Sequence, residues 1–252
     1  MVVFITGASS GIGAACARKF AANGCSLILN ARSVNKLQQL KDELQTQYGV
    51  DIVLLPFDVR DRVAASSAIA SLPTHLQDID VLINNAGLAL GIDKEYEGSE
   101  EDYDTMIDTN ITALLMITRL IVPAMIKRQR GHIINIGSVA GDAAYPGGSV
   151  YCATKAAVKV LSDGLRMDLV HTPLRVTNIK PGLVETNFSV TRFAGDKQRA
   201  DNVYKGIKPL RAEDIAEVVF FAANAPAHVQ IAEVLVLATH QASGSIVHRK
   251  ME

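Results

Sequence analysis

Three side chains have the types and spacing for proton transfer. Tyr151 and Lys155 stand four residues apart in Ser149-Val150-Tyr151-Cys152-Ala153-Thr154-Lys155, and Ser138 lies thirteen positions before the tyrosine. On a helix, positions i and i+4 share a face, with Cβ atoms roughly 5–6 Å apart. A free phenol titrates near about 10 and is a poor acid or base at neutral pH. An ammonium beside it favours the phenolate and is expected to lower that value. A phenol tuned in this way can serve as general acid or base toward a hydroxyl or carbonyl oxygen. The pair alone has little specificity, because such pairs occur on many helix surfaces. Its weight comes from the elements around it.

The chain opens on a short apolar, β-branched run, Val2-Val3-Phe4-Ile5, followed at once by Thr6-Gly7-Ala8-Ser9-Ser10-Gly11-Ile12-Gly13 and then by helix formers from Ala14 to Ala22. Glycines between a strand and a helix mark a dinucleotide-binding turn. Here the backbone at Gly7, Ser9, Ser10, Gly11, Ile12 and Gly13 can approach a pyrophosphate closely. The helix N-terminus presents free N–H groups to it. The spacing is Gly-x-x-x-Gly-x-Gly rather than Gly-x-Gly-x-x-Gly. The second strand, Ser26–Asn30, ends in Asn30-Ala31-Arg32-Ser33 and carries no carboxylate. An acidic residue there would bind the ribose 2′-hydroxyl of NAD, whereas an arginine accommodates a 2′-phosphate. Arg32, with Ser33 and with Asn30 as a further neutral donor, therefore points to NADP.

Apolar runs alternate with amphipathic segments along the chain. Expected strands are Val2–Thr6, Ser26–Asn30, Asp51–Leu55, Val81–Asn84, His132–Ile136, Arg175–Lys180 and Glu233–Leu237. Repeated βαβ units imply an α/β fold: a doubly wound, seven-stranded parallel sheet with helices on both faces, in one domain spanning 1–252. The charged, glycine-containing region 186–208 follows the sixth strand at the carboxyl edge of the sheet and reads as a substrate lid.

Composition narrows the class. Of the 252 residues, 48% are hydrophobic and 20% charged, and the formal net charge is −1. That profile is globular and offers no broad attraction to nucleic acid or anionic membrane. The longest apolar stretch, from Ile111 to Ile126, contains Arg119 and Pro123 and falls short of the roughly 20 residues that span a bilayer. A strand begins at Val2, which leaves no room for a signal peptide before it. The cysteines, Cys16, Cys25 and Cys152, form no metal spacing and no disulfide framework. Cytoplasmic residence is the expectation. No histidine spacing indicates a metal site.

Gly7-x-x-x-Gly11-x-Gly13, Asn84-Asn85-Ala86-Gly87, Asn110, Ser138 and Tyr151-x-x-x-Lys155 together resemble the short-chain dehydrogenase/reductase family, in its order and spacing, over essentially the whole chain. The resemblance implies a catalytic tetrad of Asn110, Ser138, Tyr151 and Lys155. Asn110 would support a water-linked proton path, and Lys155 would also bind the nicotinamide ribose. It further implies Asp58 and Val59 around adenine, Asn84, Ala86 and Gly87 beside the adenosine half, and Pro181, Gly182, Val184 and Thr186 around the nicotinamide amide. The segments around Gly87–Gly91, Gly131–Ser138, Pro226–Ile231 and Thr239–Gly244 are similar to those of NADP-dependent 3-hydroxy acid dehydrogenases acting on serine, L-allo-threonine and related 3-hydroxy acids. A carboxylate substrate needs a cationic partner, and Arg192 is the candidate. By the same resemblance the protein is a homotetramer. Two alternatives stay open: a reductase of another carbonyl, such as a 3-oxoacyl thioester or a xenobiotic ketone, and a non-catalytic NADP-binding protein.

Overall fold

The computed structural model describes residues 1–250. Seven parallel strands, β1 (Val2–Ile5), β2 (Ser26–Asn30), β3 (Ile52–Leu55), β4 (Val81–Asn84), β5 (His132–Ile136), β6 (Arg175–Pro181) and β7 (Glu233–Val236), form one sheet in the order β3-β2-β1-β4-β5-β6-β7. Each lies within one residue of its expected limits. Successive side chains of a strand point to opposite faces, and the core divides accordingly. Val3, Ile5, Leu27 and Leu29 join one cluster, with residues of α1 (Gly11–Ala21), α2 (Val34–Tyr48) and α9 (Ala212–Ala223). Phe4, Ile28, Leu82 and Ile133 join the other, with residues of α3 (Arg62–Ala70) and α5 (Ala113–Arg128). The long α6 (Ser149–Asp168) packs on β6, and α4 (Glu100–Ile107) leans on α6. Burial on both faces explains why these strands read as continuous apolar runs.

The apolar stretch 111–126 belongs to a longer helical run than its sequence limits imply. A single π-type turn, Asp108–Thr112, joins α4 to α5, so Glu100–Arg128 is continuous and is long and apolar enough to cross a membrane by length and composition. In this fold Ile117, Ile121 and Met125, one helical turn apart, are buried in the core beside β4 and β5. The region 186–208 folds as two short helices, α7 (Phe188–Arg192) and α8 (Lys197–Asn202), beyond the carboxyl end of β6.

One buried group gives the fold a pH dependence. His132 is enclosed at the start of β5 with Nε2 2.7 Å from Thr177 Oγ1, and burial, aided by the Arg175 charge, pushes its pKa down to about 3. Below about pH 6.5 the unfolded chain binds a proton that the folded chain refuses. Stability is therefore full above that point and is lost as pH falls toward 3. By pH ~4.5 the loss from this residue is about 3 kcal/mol. Denaturant melts at neutral pH and at pH ~4.5 should show a smaller acid-induced loss in His132→Gln than in the native chain; equal losses would contradict the assignment.

Candidate active site

The strand order reverses between β1 and β4, and ligand clefts in open α/β sheets form at the carboxyl ends of strands at such a point. A cleft of about 780 Å³ lies there, with the glycine turn, Tyr151 and Lys155 all on its wall. The first turn of α1 opens onto the cleft through Gly11 and Ile12. Gly11 holds φ +53°, and the N-cap Ser10 makes no side-chain hydrogen bond to the helix, so the leading N–H groups are uncapped. Gly13 turns inward instead of lining the cleft. A Cβ there would lie 2.4 Å from Gly7 O and 2.5 Å from Asn85 Nδ2. Asn85 Nδ2 donates to Thr6 O (2.9 Å) and Gly7 O (3.1 Å), and Thr6 Oγ1 accepts from the Asn85 and Ala86 amides, both at 3.0 Å. The two glycine-bearing turns are thus laced into one rigid floor.

Asn84 takes a different place from the one its motif implies. It lies on the α5 side of the sheet, buried, and donates to Thr118 Oγ1 (3.0 Å) and Asn135 Oδ1 (2.9 Å). Strand alternation turns it away from the cleft, while Asn85, Ala86 and Gly87 line it.

Past the carboxyl ends of β2 and β3, Arg32, Ser33, Asp58 and Val59 line the cleft. Arg32 is largely exposed, with Nη1 3.9 Å from Asp58 Oδ2. Arg60, which sequence reasoning passed over, grips the same carboxylate through Nε (3.1 Å to Oδ1) and Nη2 (2.8 Å to Oδ2). Arg60 first, then Arg32, holds Asp58 below the usual carboxylate range. Lys36, in the first turn of α2, adds a third cation. Neither Lys36 nor Arg60 carried a signal in the sequence beyond nearness to Arg32 and Asp58. Asn30 is buried, its amide donating to Leu55 O (2.9 Å) and Phe57 O (3.0 Å).

At the other end Ser138 leaves β5 in extended conformation. Its Oγ accepts from the Ala140 amide at 3.1 Å, and it lines the same cleft as the Tyr151 phenol. Lys155 is buried one turn along α6. Its Nζ donates to Ile136 O at 2.8 Å and stands 6.0 Å from the Tyr151 ring centroid. The expectation that Lys155 lowers the phenol pKa is not met in this structure. Burial holds Tyr151 above its ordinary value of 10, offset in part by the nearby Ser138 hydroxyl and the Arg192 charge. The lysine itself, desolvated by burial, is pushed down to about 8.

Asn110 lies in the π-type turn, a conformation frequent at functional sites. Its Oδ1 accepts from Leu88 N (2.9 Å), and its Nδ2 donates to Leu88 O (2.8 Å) and Thr154 Oγ1 (3.0 Å). Both amide protons are engaged, so the side chain pins the Leu88 backbone. A Cβ on Gly87 would lie 3.2 Å from Asn110 Oδ1 and 3.4 Å from Lys155 Nζ, which shows how closely the three meet.

From the end of β6 the strap carrying Pro181, Gly182, Val184 and Thr186 closes the cleft wall. Gln241 Oε1, from the C-terminal tail, accepts from Leu183 N at 2.8 Å and secures it. Arg192, at the end of α7, also lines the cleft. It donates to Gly91 O (3.1 Å), Tyr145 Oη (2.9 Å) and Gly147 O (3.2 Å). A guanidinium has five N–H groups, so two remain uncommitted.

Residues 1–197 match the family described as short chain dehydrogenase. The chain belongs to the short-chain dehydrogenase family. Within the family it is 48% identical over 251 residues to the NADP-dependent 3-hydroxy acid dehydrogenase YdfG of Salmonella typhi, covering 99% of this chain and 100% of that protein. It is 46% identical over 249 residues to the NADP-dependent 3-hydroxy acid dehydrogenase of Schizosaccharomyces pombe, covering 98% and 96%. A solved structure, the closed form of serine dehydrogenase complexed with NADP+, superposes with TM-score 0.93 at 45% identity, over 99% of this chain and 100% of that one. As a short-chain dehydrogenase, this protein is an oxidoreductase.

Proposed function

We propose that this enzyme oxidises small 3-hydroxy acids of the serine, L-allo-threonine and 3-hydroxyisobutyrate type with NADP, and reduces the corresponding carbonyls with NADPH. The observation that carries the reading is that the Ser138 and Tyr151 hydroxyls line the same cleft as Arg192, a guanidinium with two N–H groups left for a carboxylate. The cleft also fits the dinucleotide. The uncapped N-terminus of α1 suits the pyrophosphate, and Arg32, Lys36 and Arg60 suit a 2′-phosphate. Asp58 and Val59 are assigned to the adenine side. The dehydrogenases named above are NADP-dependent.

When bound, NADP supplies the hydride acceptor. Ser138 donates a hydrogen bond to the substrate oxygen and orients it. Tyr151 takes the hydroxyl proton in oxidation and returns it in reduction. The buried phenol keeps its proton at neutral pH, the state required to donate to a carbonyl oxygen. Lys155 places a cation beside the ring and would hold the nicotinamide ribose, and Asn110 fixes the Leu88 backbone. Pro181, Gly182, Val184 and Thr186 face the nicotinamide end. The segment 186–208 acts as the lid, and Arg192 fastens it to the Gly91 and Gly147 backbone.

A cytoplasmic homotetramer is the assembly we assign. Two exposed apolar faces support it: Leu115, Val160 and Met167 on α5 and α6, and Phe221 and Leu235 on α9 and β7. The three free, buried cysteines suit a reducing compartment.

The test is a rate panel of serine, L-allo-threonine, 3-hydroxyisobutyrate and 3-hydroxypropionate with NADP and with NAD. Turnover of at least one acid, with NADP favoured, is expected. Flat rates across the panel would sink the 3-hydroxy acid reading, and an NAD preference would sink the role of Arg32.

A further inference from the structure

A polar ladder crosses the sheet below the active site. Asn84, Asn135, Asn178 and Glu233 are successive Cα partners across β4, β5, β6 and β7. Asn84 bonds to Asn135 at 2.9 Å and Asn178 Nδ2 to Glu233 Oε2 at 3.3 Å. The ladder ends at Lys180, which is only 5% exposed. Its Nζ donates to Asp142 Oδ1 (2.8 Å) and Oδ2 (2.9 Å) and lies 2.7 Å from Glu233 Oε1.

The three charged residues sit at informative places. Asp142 ends the 3-10 turn Val139–Gly141, which begins at Ser138. Lys180 directly precedes Pro181-Gly182, the start of the strap on the nicotinamide side. Asp142 also faces Lys159, one turn beyond Lys155 on α6, at 3.7 Å. One ammonium therefore joins the turn that aims the substrate-facing serine to the strand that carries the cofactor-facing strap. A lysine this enclosed is costly to bury unless it is fully paired. Two carboxylates from different elements pair it here, and only one of them belongs to the serine turn.

We propose that Lys180 and Asp142 are positioning residues for hydride transfer, tethering the Ser138 turn to the Pro181-Gly182 strap and setting the spacing between substrate oxygen and nicotinamide. This rests on the oxidoreductase reading above. Reaction geometry is sensitive to shifts of about 1 Å, which can cost on the order of a hundredfold in rate. Glu233 neutralises Lys180 from the edge strand and does not touch the serine turn. The two carboxylates should therefore separate functionally.

The experiment compares Asp142→Asn with Glu233→Gln. In the ligand-free protein, amide hydrogen exchange is followed at Gly141 and Asp142, whose N–H groups bond Ser138 O at 3.0 Å and Val139 O at 3.1 Å. Asp142→Asn should exchange about tenfold faster there. It should lower kcat about tenfold with the NADPH dissociation constant unchanged, and should raise the kinetic isotope effect with 4-deuterated NADPH. Glu233→Gln should leave all of these as in the native protein, although its melting temperature falls. The proposal is overturned if Asp142→Asn keeps native kcat, whatever its exchange, or if Glu233→Gln reproduces the losses. Should the native protein turn over none of the hydroxy acids, the functional reading falls, and unchanged exchange in Asp142→Asn would independently remove the tether.

Discussion

Tyr151→Phe should lower turnover by about a thousandfold, within the 10²–10⁴ range that positioned proton transfer contributes, while NADPH binding stays near native. The ring is set by packing that phenylalanine preserves: Tyr151 lies against Phe188 with centroids 5.7 Å apart. The substitution removes only the hydroxyl, and the Ser138 turn keeps its own 3.1 Å bond from the Ala140 amide. Because burial holds the phenol above 10, the native enzyme has its proton in place at neutral pH and should reduce carbonyls without a pH threshold there. Oxidation needs the phenolate and should gain rate as pH rises, a slope that Tyr151→Phe must lose. Turnover within tenfold of native, or an unaltered oxidation profile, would remove Tyr151 from the mechanism.

Lys155→Met is expected to have the second large effect, and on two observables. Loss of the cation beside Tyr151 should lower kcat by a hundredfold or more, at the lower end of the same range. The stability effect has the opposite character. Lys155 titrates near 8 in the folded protein against an ordinary 10.5. Below pH 8 both folded and unfolded chains hold the proton, and the penalty for burying the charge is fully present. Between 8 and 10.5 the unfolded chain binds a proton that the folded chain does not, so stability rises with pH. Across that window the rise is worth about 3 kcal/mol. Lys155→Met should erase it, while leaving Ile136 O without its 2.8 Å donor at every pH. Urea melts of both proteins at pH ~7.5 and pH ~9.5 provide the comparison; the same pH slope in both would show that Lys155 is not desolvated as described.

Much of this site is legible in the residues because its signals are local. A strand, a turn and a helix N-terminus follow one another along the first 21 residues, so the glycines announce their own geometry. Tyr151 and Lys155 share a face because both stand on one helix, and Arg32 follows a strand end, where a loop must face the carboxyl edge of the sheet. Strand limits were readable to one residue because buried parallel strands leave uninterrupted apolar runs between polar turns.

Other features depend on what the chain meets after folding. Asn84 and Asn85 are adjacent and chemically identical, yet only Asn85 lines the cleft, because pairing with β5 fixes which face of β4 each one takes. Arg60, Tyr145 and Gln241 come to the cleft from loops whose paths no periodicity encodes. The phenol pKa was misjudged from spacing for a related reason. Spacing brings an ammonium near a ring, but burial decides which charge state of each group is favoured. The sequence by itself determined the α/β architecture, the strand–glycine turn–helix unit and the shared helix face of Tyr151 and Lys155, since these follow from neighbours along the chain. Only the tertiary structure decided the protonation of those groups, the partners of Arg192 and the pairing of Lys180 with Asp142, because desolvation and through-space charge depend on residues far apart in sequence.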